Sequence, residues 1–92
     1  MENNVKVLKL NTGEEILAKV EQKNTMLVLE KPMVLHVGPG PRPGQLAHTL
    51  FPFLYSGKAA KISISVDHVI AQDDPKDQIE REYLSIITGL TL

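Results

Sequence analysis

Ninety-two residues carry a net charge of −1, with no cysteine and no tryptophan. That excludes a disulfide framework, a thiolate metal site and the bulk basicity of a dedicated nucleic-acid binder. No run approaches the roughly 20 apolar residues of a membrane span, and no basic start leads into an apolar signal segment. The length sets a single domain over residues 1–92 with one modest core. A chain of this size buries roughly 60–65% of the surface that its unfolded form exposes, so burial against a partner is expected to help. The missing cysteines fit a reducing cytoplasm. Charge is uneven: residues 1–60 hold seven Lys/Arg against five acids, and residues 61–92 hold three against six.

Met1 to Asn4 is a polar lead-in. Val5, Val7 and Leu10 mark a first strand over about 4–10. Asn11-Thr12-Gly13 is a turn, because Asn tolerates turn geometry and Gly supplies positive φ. Ile16, Ala18 and Val20 alternate with Leu17 and Lys19, the period-two signature of a second strand over about 15–22. Glu21-Gln22-Lys23-Asn24 is the next turn. Met26 to Val37 reads as one long third strand (26–37) bent at Pro32, since proline cannot donate to a ladder and marks a bulge or an edge.

Gly38 to Gly44, GPGPRPG, carries no periodic signal and reads as a surface connection stiffened by proline. A proline-rich recognition ligand is the alternative. Leu46 to Tyr55 (46–55) is the fourth strand. It places Phe51, Phe53 and Tyr55 on one face, with Pro52 marking an edge or a bulge. An apolar edge strand needs covering, and a second subunit is one cover. The competing reading is a base-stacking platform, disfavoured because few basic side chains accompany the rings.

Gly57-Lys58 is a turn. Ile62, Ile64 and Val66 alternate with Ser63 and Ser65 in a fifth strand over about 61–71, broken briefly at Asp67-His68. The close is a helix over about 75–88. Asp74 suits the N-cap, Pro75 the first helical position and Asp77 the first turn. Ile79, Tyr83, Ile86 and Leu90 form an apolar stripe, Asp77 and Arg81 stand in the favourable i,i+4 order, and Gly89 is the stop. The stripe must be buried on its own sheet or on a neighbour.

These elements describe a mainly β, SH3-like small open barrel of five strongly bent antiparallel strands with a C-terminal helix. The opening Val5–Leu10 followed by Thr12-Gly13-Glu14-Glu15-Ile16 resembles that of Sm-like proteins. The chain is most similar to the short Sm-like proteins of marine tailed phages. The shared elements are Gly13-Glu14-Glu15-Ile16, Lys31-Pro32-Met33, Phe51-Pro52-Phe53 and a terminal helix bearing Tyr83. Together they span nearly the whole chain.

The resemblance implies a homo-oligomeric ring in which the fourth strand of one subunit pairs with the fifth of the next. Phe51, Phe53, Tyr55, Ile62 and Ile64 would then form the subunit interface. It also implies single-stranded RNA binding by two loops near the central opening, here Lys23, Asn24 and Thr25 with Asp67 and His68. If phage-encoded, the protein would work in the cytoplasm of an infected cell. Three features depart from the family pattern. Gln22 to Met26 lacks the aromatic of an Asp-x-aromatic-Met-Asn loop. Asp67-His68 replaces Arg-Gly, and the helix follows the strands instead of preceding them.

No phosphate loop, H-E-x-x-H or G-x-S-x-G motif is present. His36, His48 and His68 stand on separate elements, so no metal site is expected. Glu14-Glu15 are neighbours on a strand and point to opposite faces. No catalytic residues, cofactor, enzyme activity or membrane partner are expected. Two functions stand: an Sm-like ring that binds RNA, or a phage structural or assembly protein that uses the same barrel to bind protein without nucleic acid.

Overall fold

The computed structural model describes residues 5–89. The Met1–Asn4 lead-in and Leu90 of the helical stripe lie outside the described residues. The strands are β1 (Val5–Leu10), β2 (Glu15–Lys23), β3 (Met26–Pro39), β4 (Leu46–Pro52), β5 (Lys61–Ser65) and β6 (Val69–Asp73). A 3-10 turn, Val66–His68, joins β5 to β6, and helix α1 (Asp77–Ile87) follows. Every pairing is antiparallel. The order along the sheet is β4-β3-β2-β1-β6, with β5 also paired to β3. The ladder does not close; the 3-10 turn alone carries the chain from the β3 edge to the β1 edge.

Gly13, at φ 102, makes the β1–β2 turn. The second turn is tighter than the sequence suggests. β2 runs on to Lys23, which pairs with Met26, leaving Asn24 and Thr25 as the connection. Asn24 absorbs the reversal at φ 58, a conformation that its short polar side chain tolerates.

The bend expected at Pro32 is a β-bulge. Leu17 pairs with Met33 and Lys19 with Glu30, so Lys31 and Pro32 together oppose Ala18. Lys31 takes φ 50, unusual for a residue with a Cβ. The bulge redirects β3 so that its two halves meet different partners. Met26–Glu30 pairs with β5, and Met33–Pro39 pairs with β4.

Three expectations need correction. The strand expected over 46–55 stops at Pro52, and residues 53–60 leave the sheet before the chain rejoins β3 at Lys61. The strand expected over 61–71 is two strands, because Ser65 Oγ accepts from Asp67 N at 3.3 Å and starts the 3-10 turn. The sheet therefore has six strands, with β4 and β5 lying end to end along β3. The helix begins at Asp77, with Lys76 at the N-cap and no side-chain cap. Asp74 is instead ion-paired with Lys6 on β1, which holds it away from the helix end.

Both faces of the sheet are covered. One apolar cluster joins Leu8, Leu10, Ile16, Ala18, Leu27 and Leu29. On the opposite face Val5, Leu17 and Met33 pack with Tyr83 of α1. Successive strand residues point to opposite faces, so Ile16, Leu17 and Ala18 are all fully buried. The helix thus caps its own sheet. It does so with Ile79, Tyr83, Leu84 and Ile87, while Ile86, expected in the stripe, is half exposed.

Tyr83 locks the helix to the bulge. Its hydroxyl lies 3.1 Å from Glu30 O and 2.9 Å from Lys31 O, two carbonyls at the break in the β2–β3 ladder. One proton serves both. Lys31 Nζ donates back to Ile87 O at 3.0 Å, near the end of α1. Burial pushes the Tyr83 phenol from 10.0 up to about 12; the Lys19 backbone amide opposes the shift and the charge of Glu30 adds to it.

Tyr83→Phe should cost about 1–3 kcal/mol at neutral pH, since buried carbonyls lose their donor. The native phenol holds its proton more tightly than the unfolded one. Its contribution is therefore complete below pH 10 and is lost as pH rises from 10 to about 12. Urea unfolding of parent and variant across that window should show the stability gap shrinking. A constant gap would mean that the phenol proton does not hold the bulge.

Candidate functional site

The hairpin Asn24-Thr25 and the 3-10 turn meet at one end of the molecule. Val66 N donates to Thr25 O at 2.9 Å, and Asn11 N donates to His68 O at 2.8 Å. The fold therefore brings Lys23, Asn24, Thr25, Asp67 and His68 to a common end, and all five are exposed. Gln22 Nε2 donates to Asn24 O at 3.2 Å and steadies the hairpin tip. Chemically the five residues offer one amine, one carboxylate, one imidazole, an amide and a hydroxyl. No Phe, Tyr or Trp ring is among them.

The second feature is the pair of unpartnered strand edges. Among the described residues, β4 and β5 pair only with β3, and β6 pairs only with β1. One side of the sheet thus ends in the broken β4–β5 edge and the other in β6. The residues expected at a subunit interface separate here. Phe51 is 51% and Tyr55 88% exposed, whereas Phe53 packs against the Leu8–Leu29 cluster. The shared face fails because β4 ends at Pro52 and Phe53 N turns to bond Pro32 O at 3.0 Å. The Phe51 ring makes an edge contact with His36, centroids 6.5 Å apart. Ile62 and Ile64 are half-buried opposite Leu29 and Leu27, and Ile64 also packs into the inner cluster. They lie on the same side of β3 as β4, so they continue the β4 edge; the opposite edge belongs to β6.

Charge also divides along the chain. No Asp or Glu occurs between Glu30 and Asp67, while Lys31, Arg42, Lys58 and Lys61 do. From Asp67 to Glu82 there are six acids against Lys76 and Arg81. The segment between Glu30 and Asp67 is therefore cationic and the segment from Asp67 to Glu82 acidic, with Glu82 of α1 reaching back to His48 on β4. A count by halves blurs this division, because Lys61 and the acids of β2, Glu15 and Glu21, fall on the wrong sides of residue 60.

The three histidines do not converge. His36 touches Phe51, His68 sits in the 3-10 turn, and His48 on β4 bonds Glu82 Oε2 of α1 at 2.6 Å. Among the described residues, no group of three or more His, Asp or Glu could hold a metal ion. No described helix is long and apolar enough to cross a membrane. No family model matches this chain, and no curated protein matches it.

The separation of the two phenylalanines is open to test. Phe53→Asp should destabilise the fold by several kcal/mol, because it places an unpaired charge against the inner cluster. Phe51→Asp should change stability by less than about 1 kcal/mol. Thermal unfolding of both variants checks this, and equal losses would be the contrary result.

Proposed function

We propose that this protein is an Sm-like module that assembles into a cyclic homo-oligomer and contacts single-stranded RNA at the end where its two turns meet. The observation that carries the reading is the bulged β3. It supports two end-to-end strands on one side and leaves unpaired edges on both sides of one sheet. Two different free edges on one subunit suit head-to-tail pairing, which closes into a ring when the rotation allows.

The elements that carry the resemblance stand at the points that shape the sheet. Gly13 makes the first turn, Lys31-Pro32 makes the bulge, Pro52 ends β4, and Tyr83 fills the outer face. Lys23 and His68 supply the cationic and hydrogen-bonding groups for a phosphate backbone. Repeated around a ring, one such end per copy would make a shared contact surface.

A second reading follows from the composition of that end. Asp67 lies beside His68, and no Phe, Tyr or Trp ring stands at this end to stack a base. On this reading the assembly is a phage structural or assembly part that engages protein, and nucleic acid plays no role.

Light scattering on a sizing column, with absorbance at 260 and 280 nm, tests the proposal. A mass of several subunits is expected, and a clean monomer would refute the ring. RNA binding should weaken as salt rises and fall several-fold in a Lys23→Ala, His68→Ala double variant. An oligomer without RNA affinity would leave the protein-binding reading.

A further inference from the structure

We infer that the open trough beside the N-terminal end of α1 is a docking site for a basic, apolar segment of a partner protein, seated by one lysine side chain. The trough lies on the helix-bearing face of a single copy and does not depend on assembly.

The trough exists because α1 covers only part of its face. The outermost β2–β3 pair is Glu15↔Leu35. Beyond it β3 and β4 continue as a two-stranded ribbon, through Val37↔His48 to Pro39↔Leu46. Alternation places Leu35, Val37 and Pro39 on one face, together with their partners Leu50, His48 and Leu46. Leu35 and Leu50 pack into the cluster that α1 covers. The helix begins only at Asp77 and leaves the rest of the stripe open. Val37 is 51% and Leu46 73% exposed.

Where the helix begins, the stripe deepens into a pocket. Val7, Leu35, Val37 and Ile79 supply the apolar lining of a space of about 390 Å³. The apolar surface then runs out of this space along the ribbon to Leu46. An occupant that covers the whole stripe is longer than the pocket. That suits an extended segment with one side chain in the pocket, and a small molecule would leave Leu46 bare.

Charge selects the occupant. Glu15, Asp73 and Asp74 line the same space against a single amine, Lys76. Lys6 takes the Asp74 carboxylate, and His48 on the pocket wall holds Glu82. Among the described residues, no Lys, Arg or His stands within ion-pair distance of Glu15 or Asp73. Two carboxylates therefore remain at an apolar space. A lysine matches this arrangement, because its methylene stem covers apolar surface while its ammonium stays at the wet rim. An acidic side chain would meet like charge. Exposed ion pairs contribute little, so apolar contact holds the segment and charge chooses its sign.

Titration of the full chain, followed amide by amide by nuclear magnetic resonance, tests the site with three probes. The first is the peptide acetyl-Leu-Ser-Lys-Ser-Leu-amide, whose lysine and leucines share one face when extended. The second replaces its lysine with glutamate, and the third is hexylammonium. The lysine peptide should shift the amides of Val7, Leu35, Val37, Leu46 and Ile79, and the glutamate peptide should leave them unmoved. The lysine peptide should also bind at least about tenfold more tightly than hexylammonium, because it alone reaches Leu46. Leu46→Ser, at a site 73% exposed, should remove that advantage and leave hexylammonium binding unchanged. Glu15→Gln combined with Asp73→Asn should weaken the lysine peptide several-fold. Asn keeps the oxygen that accepts from Asp74 N at 2.7 Å, and circular dichroism checks each variant for the parent fold. Equal binding of the two peptides would overturn the choice of a basic partner. Hexylammonium binding as tightly as the lysine peptide would overturn the segment in favour of a small amphiphile. Shifts confined to other surfaces, or none at all, would overturn the trough itself.

Discussion

One hydroxyl proton at the β3 bulge ties the molecule together. Lys31 and Pro32 interrupt the β2–β3 ladder, and the interruption brings Glu30 O and Lys31 O to the Tyr83 hydroxyl. Buried carbonyls without donors are costly. Tyr83 supplies the donor from the opposite layer, and Lys31 returns a bond to the end of the same helix. Pro32 fits because its missing N–H needs no partner. The positive φ of Lys31 is tolerated because Ala60 O, Tyr83 and Ile87 O together fix that residue.

The remaining architecture follows from that bulge. Without it β3 would run straight and meet one neighbour along its whole length. With it, the first half pairs with β5 and the second with β4, and a groove opens between them. The sheet then wraps the Leu8–Leu29 cluster on one face and receives α1 on the other. His48–Glu82 adds a tether from the edge strand β4 to the helix. Helix, bulge and assembly edges therefore form one mechanical unit, and the proposed self-association depends on the helix although the helix lies on the outer face.

Locally encoded features were legible in the chain. Gly13 and Gly89 mark their turns because the backbone there needs positive φ. Pro32 marks the bulge because it cannot donate, and period two located β2. Features set by tertiary contact were not legible. Leu17 reads as the outward member of an alternating strand, yet it is buried because Tyr83 comes to cover it. Asp74 has the chemistry of a cap, but Lys6, sixty-eight residues away in sequence, claims its carboxylate. The end of β4 at Pro52 depends on Pro32 O capturing Phe53 N, a contact that no local pattern announces. Of the candidate site, the two turns do meet at one end of the sheet, through Val66 N and Thr25 O. The single aromatic face did not survive that break.

The most direct test of the central role of Tyr83 is native-state hydrogen exchange in low denaturant, followed amide by amide. The amides of Lys31 and Phe53 bond to Ala60 O and Pro32 O on either side of the bulge, and the amide of Thr88 bonds Leu84 O at the end of α1. If the helix holds the bulge, all three open in one cooperative step with the same free energy and the same denaturant dependence. Lys31 and Phe53 staying protected while Thr88 exchanges freely would show that the bulge stands without the helix, and Tyr83 would lose its central role.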